Sequence, residues 1–295
     1  MLSAGALAWQ ERGTREEVGD HELFVVSRGA EAPGPAVCLL HGFPSCSIDW
    51  QPLLDLVPET AHPLLAFDFL GFGLSDKPRD GDYSLVGQAD RVEELMHRHF
   101  PGRPVVLVAH DMGTSVANEL MARDLDGSGR LELRSVLLLN GSMVQSAASP
   151  TLGQRLLRGP LGPVAARLTY EGFFRRQFGS IFSPAHPLTS EQADDQWSLL
   201  CERGGNRIGD RLISYMDERE RLAARWHGAI ADWSGPLRLA WGMLDPVATP
   251  KVLEAVLALR PEAPVDRYPD LGHYPQIEDP GRIGALLPTA VGASL

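Results

Sequence analysis

Four stretches of the chain carry residue types able to make and break bonds. His41-Gly-Phe-Pro44 follows the apolar run Pro35–Leu40, and Asp111 stands in Val108-Ala-His-Asp-Met-Gly113 after Pro104–Ala109. Asp245 stands in Trp241-Gly-Met-Leu-Asp-Pro246 after the strand-like Pro236–Trp241. His273 stands in Leu271-Gly-His-Tyr-Pro275 after Pro264–Tyr268. An apolar run, a sharp turn between small residues (Ala109 and Gly113), and a helix-like Thr114–Arg123 make the layout of a nucleophile elbow. Such elbows usually carry Ser; this one carries Asp111.

Each stretch has a plain reading when taken singly. An Asp before a helix is most often an N-cap. Gly272-His273 reads as a loop, His41-Gly-Phe-Pro44 as a tight turn, and Asp245-Pro246 as the start of one. Their shared order favours catalysis: nucleophile, acid, histidine, each after a strand. In that reading Asp111 attacks, His273 is the general base for water, and Asp245 orients the imidazole and stabilises its protonated form. The backbone N–H groups of Phe43 and Met112 form an oxyanion hole. The adjoining His41, Pro44 and His110 are expected at the substrate pocket.

The residue type narrows the reaction. A carboxylate attacking a carbonyl would give an anhydride. Attacking a saturated, electrophilic carbon, it displaces a leaving group and gives an alkyl ester of the protein. Water then attacks the ester carbonyl. The chemistry expected of this elbow is therefore covalent hydrolysis at sp³ carbon.

Such residues need a sheet to hold them. The first half of the chain alternates strand-like runs (Glu22–Ser27, Pro35–Leu40, Leu64–Phe67, Leu133–Leu139) with helix patterns, the clearest being Leu85–His99. That rhythm predicts an α/β class with a mostly parallel central sheet flanked by helices, and with its site at strand carboxyl ends. After Asn140-Gly141 the rhythm breaks. Leu152–Leu157, Val164–Phe178, Ser190–Cys201 and Arg207–Arg225 read as helices with no strand between them. The expected organisation is a core of residues 1–140, a helical insert over 141–227, and a return to the core over 228–295.

Composition bounds the partners. Lys and Arg number 27 and Asp and Glu 38, so the net charge is 27 − 38 = −11. An acidic surface argues against nucleic acid and against an anionic membrane. The three cysteines (Cys38, Cys46 and Cys201) show no CxxC spacing, which argues against a disulfide framework or a zinc site and for a reducing, cytoplasmic setting. Cys46, beside the first loop, is open between pocket lining and plain packing. No apolar run reaches the roughly 18 residues of a membrane span, and the N-terminus lacks the basic start of a signal peptide. Gly71-Phe-Gly73 is followed by no P-loop Lys-Ser/Thr pair and lacks the fuller dinucleotide fingerprint, so no nucleotide cofactor is expected, and His97 and His99 have no carboxylate spaced to join them, so no metal is expected.

Together, HGFPSCSIDW, FDFLGFGLSDKP, VAHDMG, WGMLDP and LGHYPQIEDP resemble the aspartate-nucleophile branch of the α/β-hydrolase superfamily, over most of the chain. That branch contains epoxide hydrolases and haloalkane dehalogenases. Within it the chain resembles the mesoderm-specific transcript family and its bacterial relatives. The resemblance implies an α/β-hydrolase fold with an inserted helical cap, and a small, neutral, apolar substrate with water as co-substrate. Epoxide oxygen leaves as an alkoxide, which the family meets with cap tyrosines. Tyr215, in the last cap helix, and Tyr170 are the candidates here, and either one is otherwise an amphipathic packing residue.

Dehalogenases instead hold the halide with a Trp after the nucleophile and an Asn in the first loop or another Trp. This chain has Met112 and Phe43 at the first two positions. Trp197 in the insert is the residue that would restore a halide donor, and it is expected at the core or the pocket wall. Fluoroacetate-type relatives carry arginines shortly after the nucleophile, where this chain has Thr114, Ala117 and Asn118, so a carboxylate-bearing substrate is not expected. Epoxide hydrolysis to a diol is the first expectation. Haloalkane dehalogenation and a non-catalytic, ligand-binding role are the alternatives, and the oligomeric state stays open.

Overall fold

Runs of apolar residues bounded by turn formers build the centre of the molecule. The structure, a computed structural model, describes residues 1–290, apart from the side chains of Pro288 and Thr289. Eight strands are present: β1 Thr14–Val18, β2 His21–Arg28, β3 Ala36–Leu40, β4 Leu64–Phe67, β5 Val105–His110, β6 Leu133–Leu139, β7 Leu237–Gly242 and β8 Val265–Tyr268. They form one sheet in the order β1-β2-β4-β3-β5-β6-β7-β8. β2 runs antiparallel to β1 and β4, and the remaining pairs are parallel. Every residue of β3, β4 and β5 is buried, as expected where helices cover both faces of a parallel sheet. The chain thus has the α/β fold with the mostly parallel sheet that its rhythm implied.

Two N-terminal elements escaped the pattern. β1 reads Thr-Arg-Glu-Glu-Val, charged because it is a sheet edge, where charge deters pairing with another chain. The helix Ala4–Gln10 is capped by Ser3 and buries Ala6 and Trp9. Ser3 Oγ also donates to Asp195 Oδ1 at 2.5 Å, which ties the N-terminus to the helix Ser190–Cys201.

Between β6 and β7 the regular elements are all helical. Two stretches read as single helices are interrupted. Val164–Phe178 divides into Gly162–Arg167 and Glu171–Gly179 around an extended Tyr170, and Arg207–Arg225 divides into Gly209–Leu212, Tyr215–Arg221 and the start of Ala223–Asp232. Thr151 with Gln154 and Thr189 with Gln192 form reciprocal capping boxes that fix two helix starts. Among the described residues no helix is long and apolar enough to cross a membrane.

The helix Met112–Asp126 is the main support of the site. It sits so close to β3 that a methyl group added at Gly113 would lie 2.6 Å from the Leu40 carbonyl oxygen and 2.7 Å from that of His41. At its other end Gly127 takes a left-handed φ of 74° and closes the helix. Glu119 on this helix accepts from Trp226 Nε1 at 2.9 Å and from the partly exposed Arg225 Nε at 2.9 Å, so the helix Ala223–Asp232 is clamped to the core through charge-assisted bonds. Gly113→Ala therefore forces the backbone apart. It should cost about 1–3 kcal/mol in urea unfolding, and an unchanged unfolding midpoint would show that the helix is free to move away from β3.

Candidate active site

Asp111 closes β5 and opens the helix Met112–Asp126 with φ 43° and ψ −109°. This positive φ is one that a residue with a side chain adopts at a cost of about 1–3 kcal/mol. Asp111 N–H donates to the Leu139 carbonyl at 3.2 Å and Thr114 Oγ1 donates to the Asp111 carbonyl at 2.6 Å, which hold the turn. The side chain makes no capping bond to its own helix, so the N-cap reading does not describe it. Instead Oδ2 accepts the Phe43 N–H at 3.0 Å. Oδ1 is buried with no hydrogen-bond partner. Gly42 lets the first loop come this near, since a Cβ there would lie 2.7 Å from Asp111 Cβ.

The loops after β7 and β8 bring in the acid and the histidine. His273 Nδ1 donates to Asp245 Oδ2 at 2.7 Å, with both side chains buried. Asp245 Oδ1 accepts from the N–H groups of Val247 at 2.6 Å and Ala248 at 3.1 Å. Asn140 Nδ2 donates to Oδ2 at 2.8 Å. Four donors thus meet two oxygens, which fixes Asp245 as an ionised acceptor and the proton on His273 Nδ1. Asn140, at the end of β6 with φ 37°, also accepts the Gly242 N–H at 2.8 Å, so it joins β6 to the acid loop. In the sequence it marked only a break in rhythm. An Asn at a strand end, able to take a positive φ, was the available signal.

Charge is balanced locally. Burial pushes the Asp111 carboxyl upward, but Arg219, His273 and the Phe43 N–H bring it below the ordinary 3.8. Burial alone would lower His273; the Asp245 carboxylate reverses this and Asp111 adds to it, so the imidazole titrates above its ordinary 6.5. Asp111 and His273 each favour the other's charged form.

Arg219 was not anticipated. It comes from the helix Tyr215–Arg221, is buried, and donates through Nη2 to the Asp111 carbonyl at 3.0 Å and through Nε to Ser115 Oγ at 2.7 Å. Its Nη2 also lies 3.8 Å from Asp111 Oδ1. Fluoroacetate-type relatives place arginine just after the elbow, whereas this one arrives from the insert, inside the charged run Asp217-Glu-Arg-Glu-Arg221.

A cavity of about 350 Å³ adjoins the site. Phe43, Pro44, Val247 and His273 line its inner end, and the helices of residues 152–179 line much of the rest with Leu and Phe side chains. Some of the expected residues lie elsewhere. His41 is buried beneath the loop: its Nε2 accepts the Phe69 N–H at 2.9 Å, its Nδ1 donates to the Gly42 carbonyl at 2.8 Å, and burial lowers its pKa to about 4. His110 is buried under His273, donates from Nε2 to the His273 carbonyl at 2.7 Å, and is pushed down to about 3 by burial and by His273. Both are neutral supports and line no part of the cavity, which corrects the pocket expectation; only Pro44 of that first trio lines it.

Trp197 packs on Phe174 with ring centres 5.5 Å apart and stands behind the cavity wall, not in it. Cys46 is likewise buried outside the lining. Met112 is buried in the first turn of its helix.

The two tyrosines do not meet. Tyr215 is buried between Phe43 and Arg219, its ring 5.7 Å from the first and 4.6 Å from the second's guanidinium. Its hydroxyl accepts from Gln154 Nε2 at 3.3 Å, and burial together with Asp111 raises its pKa. Tyr170 is 65% exposed at the outer part of the cavity, because the chain is extended there between two helices. A paired arrangement is corrected to one buried tyrosine.

Asp49 is a further buried carboxylate that the motifs did not flag. Ser45 Oγ donates to it, Gln196 Nε2 donates to it at 2.7 Å, and burial lifts its pKa to about 7. Among the described residues no group of three or more His, Cys, Asp or Glu is placed to hold a metal.

Residues 38–286 match the alpha/beta hydrolase family. Over 280 residues the chain is 50% identical to the LipZ protein of Mycobacterium tuberculosis, covering 95% of this chain and 96% of that one. It is 38% identical over 287 residues to the mesoderm-specific transcript protein of Mus musculus, covering 95% and 86%. Its fold is similar to that of the haloalkane dehalogenase DbeA from Bradyrhizobium elkani, with a TM-score of 0.78 at 21% identity, covering 95% and 97%.

Two titrations follow from these contacts. By NMR, His273 should titrate above 6.5, and Asp245→Asn should lower that value; an unmoved titration would mean that Asp245 does not set the histidine's charge. Asp49 has a folded pKa near 7 against 3.8 for the free group, so its stabilising contribution is present below 3.8 and lost as pH rises through 7. Asp49→Asn should therefore gain on the parent protein with rising pH, by up to about 4 kcal/mol above pH 7. Parallel stability curves would show that Asp49 is ionised throughout.

Proposed function

The chain belongs to the alpha/beta hydrolase family, and from that premise we propose that it hydrolyses substrates at saturated carbon through an ester on Asp111, an epoxide being the substrate that suits the site best. The observation that carries this reading is the Asp111 side chain. It is withheld from its own helix, anchored at Oδ2 by one backbone N–H, and left at Oδ1 buried and unpartnered beside the His273–Asp245 pair.

In the first step Oδ1 attacks an epoxide carbon. The carbon–oxygen bond of the ring breaks and its electron pair goes to oxygen. Arg219 supplies positive charge beside the reacting atoms, and the Tyr215 hydroxyl gives the developing alkoxide a proton. In the second step His273 Nε2 takes a proton from water, and the hydroxide attacks Asp111 Cγ. Oδ2 becomes the oxyanion, and the Phe43 N–H already lies on it, with the Met112 N–H as the second donor. Collapse of this intermediate breaks the bond from Cγ to the substrate oxygen; the proton of the added hydroxyl passes to that oxygen, which releases the diol and restores the carboxylate, and the imidazolium proton returns to the Tyr215 phenolate. Asp245 stabilises the imidazolium formed on the way.

The insert acts as a cap in this reading. It brings Arg219 and Tyr215 to Asp111, and its Leu and Phe side chains favour an apolar body on the substrate. Trp197 packs on Phe174 outside the cavity lining, so it lends no support to a halide donor.

The reading is tested by trapping. His273→Gln should stall at the ester when incubated separately with a panel of epoxides and a panel of haloalkanes, an epoxide giving a mass gain equal to the whole epoxide on the peptide that contains Asp111. A gain equal to a haloalkane less HX would keep the nucleophile and change the leaving group, and no adduct from either panel would remove the covalent reading. Asp111→Ala should lower turnover by at least about 10³-fold. Tyr215→Phe should lower epoxide turnover by about 10²–10⁴-fold, and full activity in that variant would return Tyr215 to a packing role.

A further inference from the structure

Apolar side chains left in water concentrate in one place. Of the eleven large hydrophobic residues that are exposed among the described residues, six fall within residues 152–170: Leu152, Leu156, Leu161, Val164, Leu168 and Tyr170. They belong to the helices Leu152–Arg158 and Gly162–Arg167 and the segments that border them. Leu161 and Leu168 are each 71% exposed. Single exposed hydrophobic residues need no explanation, but a grouped set does.

The same segment differs from the rest of the chain in charge. Residues 141–180 contain five arginines and one acid, Glu171, a net of 5 − 1 = +4 in a chain whose total is −11. Two of these arginines are engaged: Arg158 with Asp217 and Glu220, and Arg175 with Glu171 and Asp194. Arg155, Arg167 and Arg176 are exposed and form no ion pair among the described residues. The acids that pair Arg158 and Arg175 from outside this stretch are Asp217, Glu220 and Asp194, so what the face offers is three unpaired arginines rather than a net charge of +4.

The patch is also continuous with the cavity. Leu156, Leu168 and Tyr170 are exposed and line the cavity that reaches His273. An apolar surface rimmed by unpaired arginine, with an apolar cavity opening through it, has the character of a face that sits in a lipid interface: the leucines enter the acyl boundary and the guanidinium groups meet anionic headgroups.

We infer that this face, residues 152–170 with their flanking arginines, docks peripherally on an anionic lipid surface, so that apolar substrate enters the cavity from the lipid side. A second copy of the chain is the weaker occupant, because a twofold pairing of this face would set its own unpaired arginines against each other. The inference stands on the surface and the cavity, and does not depend on the chemistry assigned to Asp111.

Sedimentation with vesicles tests it, using phosphatidylcholine alone and phosphatidylcholine with phosphatidylglycerol. The full chain should sediment with the anionic vesicles, stay in solution with the neutral ones, and be released by added salt. Leu161→Ser with Val164→Ser, at positions that do not line the cavity, should weaken binding at least about tenfold, as should Arg155→Glu with Arg167→Glu. Thermal unfolding of each variant should match the parent protein, which separates lost docking from lost folding. Failure of the full chain to sediment with anionic vesicles would overturn the inference, as would equal binding by either double variant. So would a dimer in vesicle-free solution that Leu161→Ser with Val164→Ser dissociates, since the second copy would then be the occupant.

Discussion

The site depends on keeping one carboxylate ionised inside the protein, on a turn that an aspartate does not favour. Asp111 is 1% exposed and has a φ of 43°. A buried charge is tolerated only with partners that stabilise it. Here the partners come from three directions: the Phe43 N–H from the loop after β3, Arg219 from the insert, and His273 from the loop after β8. None of them caps or saturates the carboxylate, because Oδ1 stays without a hydrogen bond. The glycines follow from the same constraint. Gly42 and Gly113 stand where a side chain would strike Asp111 or the β3 backbone.

The labour is divided between core and insert. The sheet fixes the acid and the histidine through backbone and Asn140 contacts that leave Asp245 fully bonded. The insert contributes the guanidinium beside the carboxylate and most of the cavity wall. Two links hold the two parts in register. One is Glu119 with Arg225 and Trp226; the other is Gln196 with Asp49, reaching through Ser45 toward Tyr274. A shift of the insert would therefore alter charge at Asp111 and not only the shape of the cavity.

Much of this was legible in the chain because it is local. β5, its turn and its helix are contiguous, and so are the loops that carry Asp245 and His273. Their side chains are set by strand ends, and strand ends show in the apolar pattern. Arg219, Asn140 and Asp49 were not legible, for one shared reason: each acts on a residue distant in sequence, and each sits in a segment whose local pattern has another meaning. Arg219 looks like one charge among several on a helix. His41 and His110 failed in the opposite way. They lie in the motifs, but the strand and turn direct them under the site, where His41 spends both ring nitrogens on backbone groups and His110 spends Nε2 on one. Tyr170 shows the limit of helical periodicity, since the extended backbone at that position carries it outward.

The central claim is that the oxygen added to the product comes from Asp111 and not directly from water. Single turnover of an epoxide in ¹⁸O-water, with enzyme in excess, addresses this directly. Hydrolysis through the Asp111 ester gives an unlabelled diol and places the label in the Asp111 carboxylate, where peptide mass spectrometry reads it. A diol that carries the label after one turnover, with Asp111 unlabelled, would mean that His273 activates water against the substrate itself and that the carboxylate on the elbow is not the nucleophile.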